Sequence, residues 1–386
     1  MSPSEVEKKL ATLEGVEFLK RAVSEAAQAS DLSRVQIVLD AIKNSSAVSK
    51  AATSTLLKQM VQIVEKEEPN KKNFSSILDS LIAWSEENKR KILNLEFKTK
   101  KIELLIDLKN FKESLALIAE ISKLLKQNDD KIGLVKLYYL ESKVYYNLKN
   151  ISKAKSSLTL SRSTSTFVYA PPSLQAKIDL QHSIYLSDEK EYKTAASFLM
   201  EALEGFSISK EEEKVVQCVR YLVLTKIMEN RIEEIPAVLE HKLVKNLDVE
   251  NDAGVAMLKR ISSAVKERNL RKCNEIIKEN FDLISEDKFL LSHLVHLCDS
   301  LVDSNILKII EPYSNISIMC IRDSLGLDLG VIENRVRRMV LDGRIRGNID
   351  QETMCINIEK EERVNRKKEV GEILEVLSKG VSAIGR

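Results

Sequence analysis

The stretch Asn150-Ile151-Ser152-Lys153-Ala154-Lys155-Ser156-Ser157-Leu158 sets Ile151, Ala154 and Leu158 at the spacing that lines up side chains on one face of a helix. A polar residue stands just before the first of them, as suits a helix N-cap or a tight turn. The same pattern recurs at Asp31-Leu32…Val35…Leu39, Asn73-Phe74…Ile77…Leu81 and Asn110-Phe111…Ser114…Ile118. It returns at Glu191-Tyr192…Ala195…Leu199, Arg231-Ile232…Ile235…Leu239 and Asn269-Leu270…Cys273…Ile277. Successive anchors recur at an even period of about 40 residues, in the range of the longer helical repeats. A second apolar-periodic segment precedes the better repeats; Leu137, Leu140, Val144 and Leu148 form the clearest such stripe. The unit is a helix, a short turn and a helix. One such pair cannot bury its apolar face alone, so the pairs are expected to stack into a solenoid. Phe111, Ile118, Ile151, Leu158, Tyr192, Leu199, Ile232 and Leu239 are expected in its core.

Composition agrees with a helical reading. Eleven glycines and six prolines in 386 residues amount to a third of the usual share of turn formers. Between Pro69 and Pro171 there is no proline and one glycine, Gly133, which leaves a sheet-rich chain without its turns. Sixty basic against 58 acidic residues give a net charge of +2, which excludes a globally basic nucleic-acid binder. Five cysteines, Cys218, Cys273, Cys298, Cys320 and Cys355, are scattered with no C-x-x-C pair and read as free thiols in a reducing compartment. The first residues carry no apolar core of a secretory signal. The strongly apolar uncharged run Phe289 to Cys298 is too short for a bilayer.

After Asp299 the pattern changes. An apolar-periodic helix over Leu301–Ile310 stops at Glu311-Pro312. Ser314-Asn315-Ile316-Ser317 reads as the cap of a helix through Leu325, and a further helix runs from about Gly330 to Leu341. Asp342-Gly343 ends it. Ile345 to Ile349 and Met354 to Ile358 then alternate and form a hairpin. Three helices followed by a hairpin give the order of a winged helix. At the chain's end Val370, Ile373, Leu374, Leu377, Val381 and Ile384 form an amphipathic stripe suited to docking on a partner's helices.

No Gly-rich phosphate loop, H-E-x-x-H helix or G-x-S-x-G elbow occurs. His293, His296 and Cys298 are the one metal-like group, but Cys298 lies off the face the histidines share, and packing histidines are the better reading. Arg335, Arg337, Arg338, Arg344 and Arg346 crowd the third helix and first wing strand, where a DNA-binding winged helix would meet the major groove. Against nucleic acid stand Glu333, Asp342, Asp350 and a wing without stacking aromatics. Pairing of these arginines with acids across a protein interface is the alternative.

Several stretches resemble one family. They are Tyr169-Ala170-Pro171-Pro172-Ser173-Leu174-Gln175-Ala176, Glu189-Lys190-Glu191-Tyr192-Lys193-Thr194-Ala195, Leu140-Glu141-Ser142-Lys143 and Ile310-Glu311-Pro312-Tyr313-Ser314. Glu204-Gly205, Gly347 and Ile349-Asp350-Gln351 continue the match, which covers roughly residues 80 to 358. The chain is similar there to the PCI-domain subunits of the proteasome regulatory-particle lid. The resemblance implies an all-α fold: a right-handed, TPR-like solenoid, a winged-helix PCI domain and a C-terminal helix. The expected division is residues 1–190 as an N-terminal arm, 191–300 as the helical part of the PCI module, 301–358 as the winged helix and 359–386 as the tail.

The resemblance further implies a non-catalytic scaffold without cofactors, in cytoplasm and nucleus, acting in ubiquitin-dependent degradation. Its implied partners are the other lid PCI subunits, the ATPase base and an α-subunit of the 20S core, with no membrane. The paralogous signalosome subunits and a winged-helix nucleic-acid binder are the alternatives. The wing should offer an open strand edge, and Arg346-Gly347-Asn348-Ile349 or Cys355-Ile356-Asn357 is expected to pair with a neighbouring PCI sheet.

Overall fold

The computed structural model describes residues 13–28, 32–44, 49–67, 71–245, 252–350, 353–358 and 374. The chain divides into two compact units, residues 1–190 with 204–210, and residues 191–203 with 211–386.

The first unit is built from α1 (Leu13–Gln28), α2 (Leu32–Asn44), α3 (Lys50–Glu67), α4 (Lys71–Glu87), α5 (Lys91–Asp107), α6 (Phe111–Gln127), α7 (Lys131–Asn147), α8 (Ile151–Thr166) and α9 (Pro172–Asp188). It also takes the end of α10 (Tyr192–Ile208). Helices α5, α6, α7 and α9 are each 17 residues long. Turns as short as Leu108-Lys109-Asn110 join most neighbours from α4 onward. The turn chemistry explains this regularity. After α5, Lys109 adopts φ 60°, its N–H donates to Ile106 O at 3.0 Å, and the Asn110 N–H donates to Leu105 O at 2.9 Å. This is a Schellman motif, which satisfies the last carbonyls of a helix. The same pair of bonds closes α4 through Lys89 and Arg90, α6 through Asp129 and Asp130, and α7 through Lys149 and Asn150.

At two of these turns the side chain of the third residue also caps the next helix. The Asp130 carboxylate accepts from the Gly133 N–H at 2.9 Å, and Asn150 Oδ1 accepts from the Lys153 N–H at 3.2 Å. There one residue ends a helix and caps the following one; at all four turns the Schellman closure folds each helix back beside its predecessor.

Along the anchored helices the second position of the stripe is buried at every repeat: Val35, Ile77, Ser114, Ala154, Ala195, Ile235 and Cys273. Four of these are small, which lets helices approach closely. Ile118, Leu158, Leu199 and Leu239 are buried as well. Of the leading anchors, Phe74 and Leu270 are buried too, but four others are not. Phe111, Tyr192 and Ile232 are half-buried, and Ile151 is 43% exposed. Each of the four begins its helical segment, where a side chain leans back over the turn.

Small residues also carry the contacts of α7 with α8 and α9. Ser161 Oγ donates to Val135 O at 2.9 Å, Ser142 Oγ lies 2.6 Å from the Tyr185 hydroxyl, and that hydroxyl reaches Ser142 O at 3.1 Å. Burial pushes the Tyr185 phenol up to about 12. Gly205 lies against α9: a Cβ there would come within 2.8 Å of Ala176 Cβ and 3.1 Å of Pro172 O.

The second unit continues with α11 (Glu212–Met228), a 3-10 turn at Ile232–Glu234, α12 (Ile235–Leu239), α13 (Lys242–Lys245), α14 (Ala253–Lys266), α15 (Leu270–Glu279), α16 (Phe281–Glu286) and α17 (Lys288–Ile310). A buried aromatic contact joins α11 to α17, with Tyr221 and Phe289 ring centres 4.3 Å apart. The Tyr221 hydroxyl donates to Asp287 at 2.7 Å, and Asp287 caps α17 by accepting from the Phe289 N–H. The winged helix follows: β1 (Asn315–Ser317), α18 (Ile318–Leu325), α19 (Leu329–Leu341), β2 (Gly347–Asp350) and β3 (Cys355–Ile358). Gly326, at φ 67°, supplies the left-handed residue that turns α18 toward α19. Ile306, Ile310, Ile316, Ile318, Ile321, Ile332, Val336, Met339, Ile345 and Ile356 fill its core.

The sequence pattern reads Ser314 to Ser317 as a helix cap alone. Ser317 does cap α18, accepting from the Met319 N–H at 3.3 Å, but Asn315–Ser317 is also a strand paired to β3. Of the tail stripe, Val370, Ile373, Leu377, Val381 and Ile384 lie outside the described residues; Leu374 is helical and 60% exposed.

Candidate functional site

The sheet order is β1-β3-β2, all antiparallel. This changes the expectation for the wing. Cys355, Ile356 and Asn357 belong to the central strand, which has a neighbour on each side, so they offer no free edge. The outer edge next to the hairpin is β2.

The pairing also fixes which amides of β2 face outward. The Ile358 N–H donates to Ser314 O at 2.8 Å and the Ile318 N–H to Met354 O at 2.9 Å. Hydrogen-bonded and non-bonded pairs alternate along an antiparallel ladder. Residues 354, 356 and 358 therefore bond toward β1, and Cys355 and Asn357 toward β2. Their partners there are Asp350 and Asn348. The Asn348 amide points inward, and the amides of Gly347 and Ile349 point to the open side. Gly347 is held by close approach: a Cβ on it would sit 2.0 Å from Asn357 O. Ile349 packs its side chain against the wing core, and Asp350 accepts from the Thr353 hydroxyl at 2.7 Å. Arg346 is exposed beside the strand, and Gln351 lies outside the described residues.

Three of the five arginines, Arg335, Arg337 and Arg344, are tied within the domain rather than held ready for a partner's acids. Arg335 reaches Asp299 and Asp303 of α17, each at 2.7 Å, and Arg344 reaches Asp303 at 3.1 Å. Arg337 pairs with Glu333 one turn back at 2.6 Å. Arg338 is exposed. A face on which three of five arginines are already matched by carboxylates is poorly set to neutralise phosphates.

Several of the remaining matched residues serve the fold. Pro171 is the N-cap of α9 and Pro172 its first residue, where a missing N–H is harmless. Leu174 is buried, and the Gln175 amide donates to Asp179 at 3.2 Å. Ala195 is buried, Lys193 is exposed, and Glu311 and Pro312 lie in the exposed turn after α17. His293 is buried against Phe289, ring centres 4.3 Å apart, and stands edge-on to Tyr192. Among the described residues no three His, Cys, Asp or Glu side chains gather as a metal site, and no helix is long and apolar enough to cross a membrane.

Helix pairs in series leading into a winged helix with a short open-edged sheet define a PCI-type helical-repeat protein, and the PCI domain model matches residues 277–360. Curated relatives sharpen this. The 26S proteasome non-ATPase regulatory subunit 11 of Dictyostelium discoideum is 30% identical over 83% of this chain and 76% of its own. A probable 26S proteasome regulatory subunit, rpn-6.2, of Caenorhabditis briggsae is 31% identical over 84% of this chain and 80% of its own. The 26S proteasome regulatory subunit RPN6 of Saccharomyces cerevisiae is 32% identical over 78% and 70%. The chain belongs to this family of 26S proteasome regulatory subunits.

Proposed function

We propose that the chain is a non-catalytic scaffold subunit of the proteasome regulatory-particle lid. Its β2 edge would add to the sheet of a neighbouring PCI subunit. Its helical arm would run past the ATPase base to an α-subunit of the 20S core and clamp the regulatory particle on, in cytoplasm and nucleus. The division into an arm over 1–190, a helical PCI part over 191–300, a wing over 301–358 and a bundling tail over 359–386 belongs to this reading. The observation that carries it is the open side of β2, the outer edge of the hairpin, with the outward amides of Gly347 and Ile349. Soluble proteins rarely leave such an edge uncovered.

The test is affinity capture of the tagged chain, with the captured proteins identified by mass spectrometry. Wild type and Ile349→Ala should bring down proteasome lid, base and core subunits. Ile349→Pro loses the same side-chain packing and also the outward N–H, and it should lose the lid subunits. Capture of signalosome subunits or of nucleic acid in place of proteasome subunits would overturn the proposal, and equal capture by both variants would remove the role of the edge.

A further inference from the structure

Two cysteines distant in sequence meet between α15 and α17. Cys273 Sγ and Cys298 Sγ lie 4.0 Å apart. Cys273 is fully buried, and Cys298 is partly open to solvent. Asn274 Oδ1 stands 3.7 Å from the Cys298 sulfur. The remaining cysteines sit differently. Cys218 is buried on α11 and burial pushes its thiol up to about 12, Cys320 is exposed on α18, and the Cys355 thiol donates to Thr353 O at 3.3 Å.

We infer that Cys298 is a site of hydroperoxide oxidation and that Cys273 converts the product to an intrachain disulfide. Accessibility gives the order: a small peroxide meets Cys298 first, and the buried partner waits within one side-chain rotation. The S–H···S hydrogen bond holds the Cys298 thiol below its usual range and the Cys273 thiol above it; burial and the Asp299 carboxylate oppose ionisation of Cys298. Asp299 is itself neutralised by Arg335 at 2.7 Å.

In the first step the Cys298 thiolate attacks one oxygen of hydrogen peroxide. An S–O bond forms, the O–O bond breaks, and the departing hydroxide takes the proton released by Cys298 to leave as water. Cys298 is then a sulfenic acid, oxidised by two electrons. In the second step the Cys273 sulfur attacks the sulfenic sulfur. The S–S bond forms, the S–O bond breaks, and hydroxide leaves with the Cys273 proton as a second water. Two thiols and one peroxide become a disulfide and two waters. The product would fasten α15 to the stretch of α17 whose Asp299 and Asp303 hold the winged helix.

The experiment treats the reduced full-length chain with one to five equivalents of hydrogen peroxide, blocks free thiols and maps peptides by mass. The expected result is a linked Cys273–Cys298 peptide lighter by two hydrogens, forming ahead of modification at Cys320 and Cys355 and reversed by dithiothreitol. In Cys273→Ser, a dimedone adduct should accumulate on Cys298 instead. Oxidation of Cys320 or Cys355 with both target thiols still reduced would overturn the inference. So would sulfinic acid on wild-type Cys298 without the linked peptide, and that readout needs no variant to fold.

Discussion

Replacing Gly347 by alanine tests whether the wing hairpin is held by backbone approach. The added Cβ would sit 2.0 Å from Asn357 O, with the Asn357 carbonyl carbon at 3.0 Å and Ile358 Cα at 3.1 Å. All three are backbone atoms, so no side chain can swing away, and the strands must part by about 1 Å at that end to reach ordinary contact distance. Overpacking of this kind costs roughly 1–3 kcal/mol. The adjacent Asn348–Asn357 pair, whose two ladder bonds would stretch, contributes about 1 kcal/mol per bond. The expected loss is about 2–5 kcal/mol, confined to the wing. Trp84, the sole tryptophan, belongs to the first unit. Hydrogen exchange by mass spectrometry is the suitable assay. Peptides covering β2 and β3 should exchange about thirtyfold faster or more, equivalent to about 2 kcal/mol. Peptides of α7 and α8 should not change. Gly330→Ala serves as the control, since a Cβ there meets only Asp328 Oδ2 at 3.6 Å. If Gly347→Ala exchanged like that control, the close approach of β2 to β3 would not be what requires glycine.

Leu158→Ala should destabilise the first unit by roughly 2–5 kcal/mol in urea titration, because Leu158 is packed among Val135, Leu174, Ile178 and Tyr185; the exposed Leu160→Ala should change little. Burial, reinforced by Arg162 and Lys155, lowers His182 from 6.5 to about 4. The unfolded chain binds that proton first, so stability from His182 is full above pH 6.5 and is lost as pH falls toward 4. Allowing for solvent screening at a half-buried site, the loss is about 1–2 kcal/mol, and His182→Gln should flatten this part of the pH–stability curve. Lys109→Gly should stabilise by about 0.5–1 kcal/mol, read from the urea midpoint, because the left-handed φ of 60° strains a residue with a Cβ by more than glycine's extra freedom costs the folded state.

The helical fold was legible because burial on one face imposes its spacing on the residues directly. The stripe at Ile151, Ala154 and Leu158 located α8, and its kin located the partners. The turns were harder to see. Left-handed residues usually announce themselves as glycine, but here they are Lys89, Lys109, Asp129, Lys149, Lys190, Lys210, Asn230 and Arg268. The even steps from Lys89 to Lys109, Asp129 and Lys149 mark successive helix ends. Without glycine there, the anchors alone set a repeat of about 40 residues, when the turn motif recurs at half that interval. The exposure of Ile151 was hidden for a different reason. Periodicity identifies a face but not where along the helix the neighbour stops, and that depends on a turn length set by the two hydrogen bonds of the Schellman motif.

The interaction edge shows where a one-dimensional reading fails on principle. Two alternating strands predict a hairpin, and a hairpin has two edges; whether both stay open depends on a third segment. Asn315-Ile316-Ser317 is that segment, too short to carry its own alternation and placed where the helix-capping role of Ser317 already accounts for its composition. Once β1 is in place, β3 is closed and the side of the hairpin left open is that of β2. The arginines follow the same logic. Arg335 and Arg344 look unmatched in sequence because Asp299 and Asp303 lie far upstream, on the helix that the winged helix packs against. Folding uses that charge inside the domain, and what β2 offers a partner is backbone: two outward amides on one short strand. Recognition by backbone needs an extended partner edge rather than a charged groove, which is why a neighbouring sheet fits this surface better than a phosphate chain does.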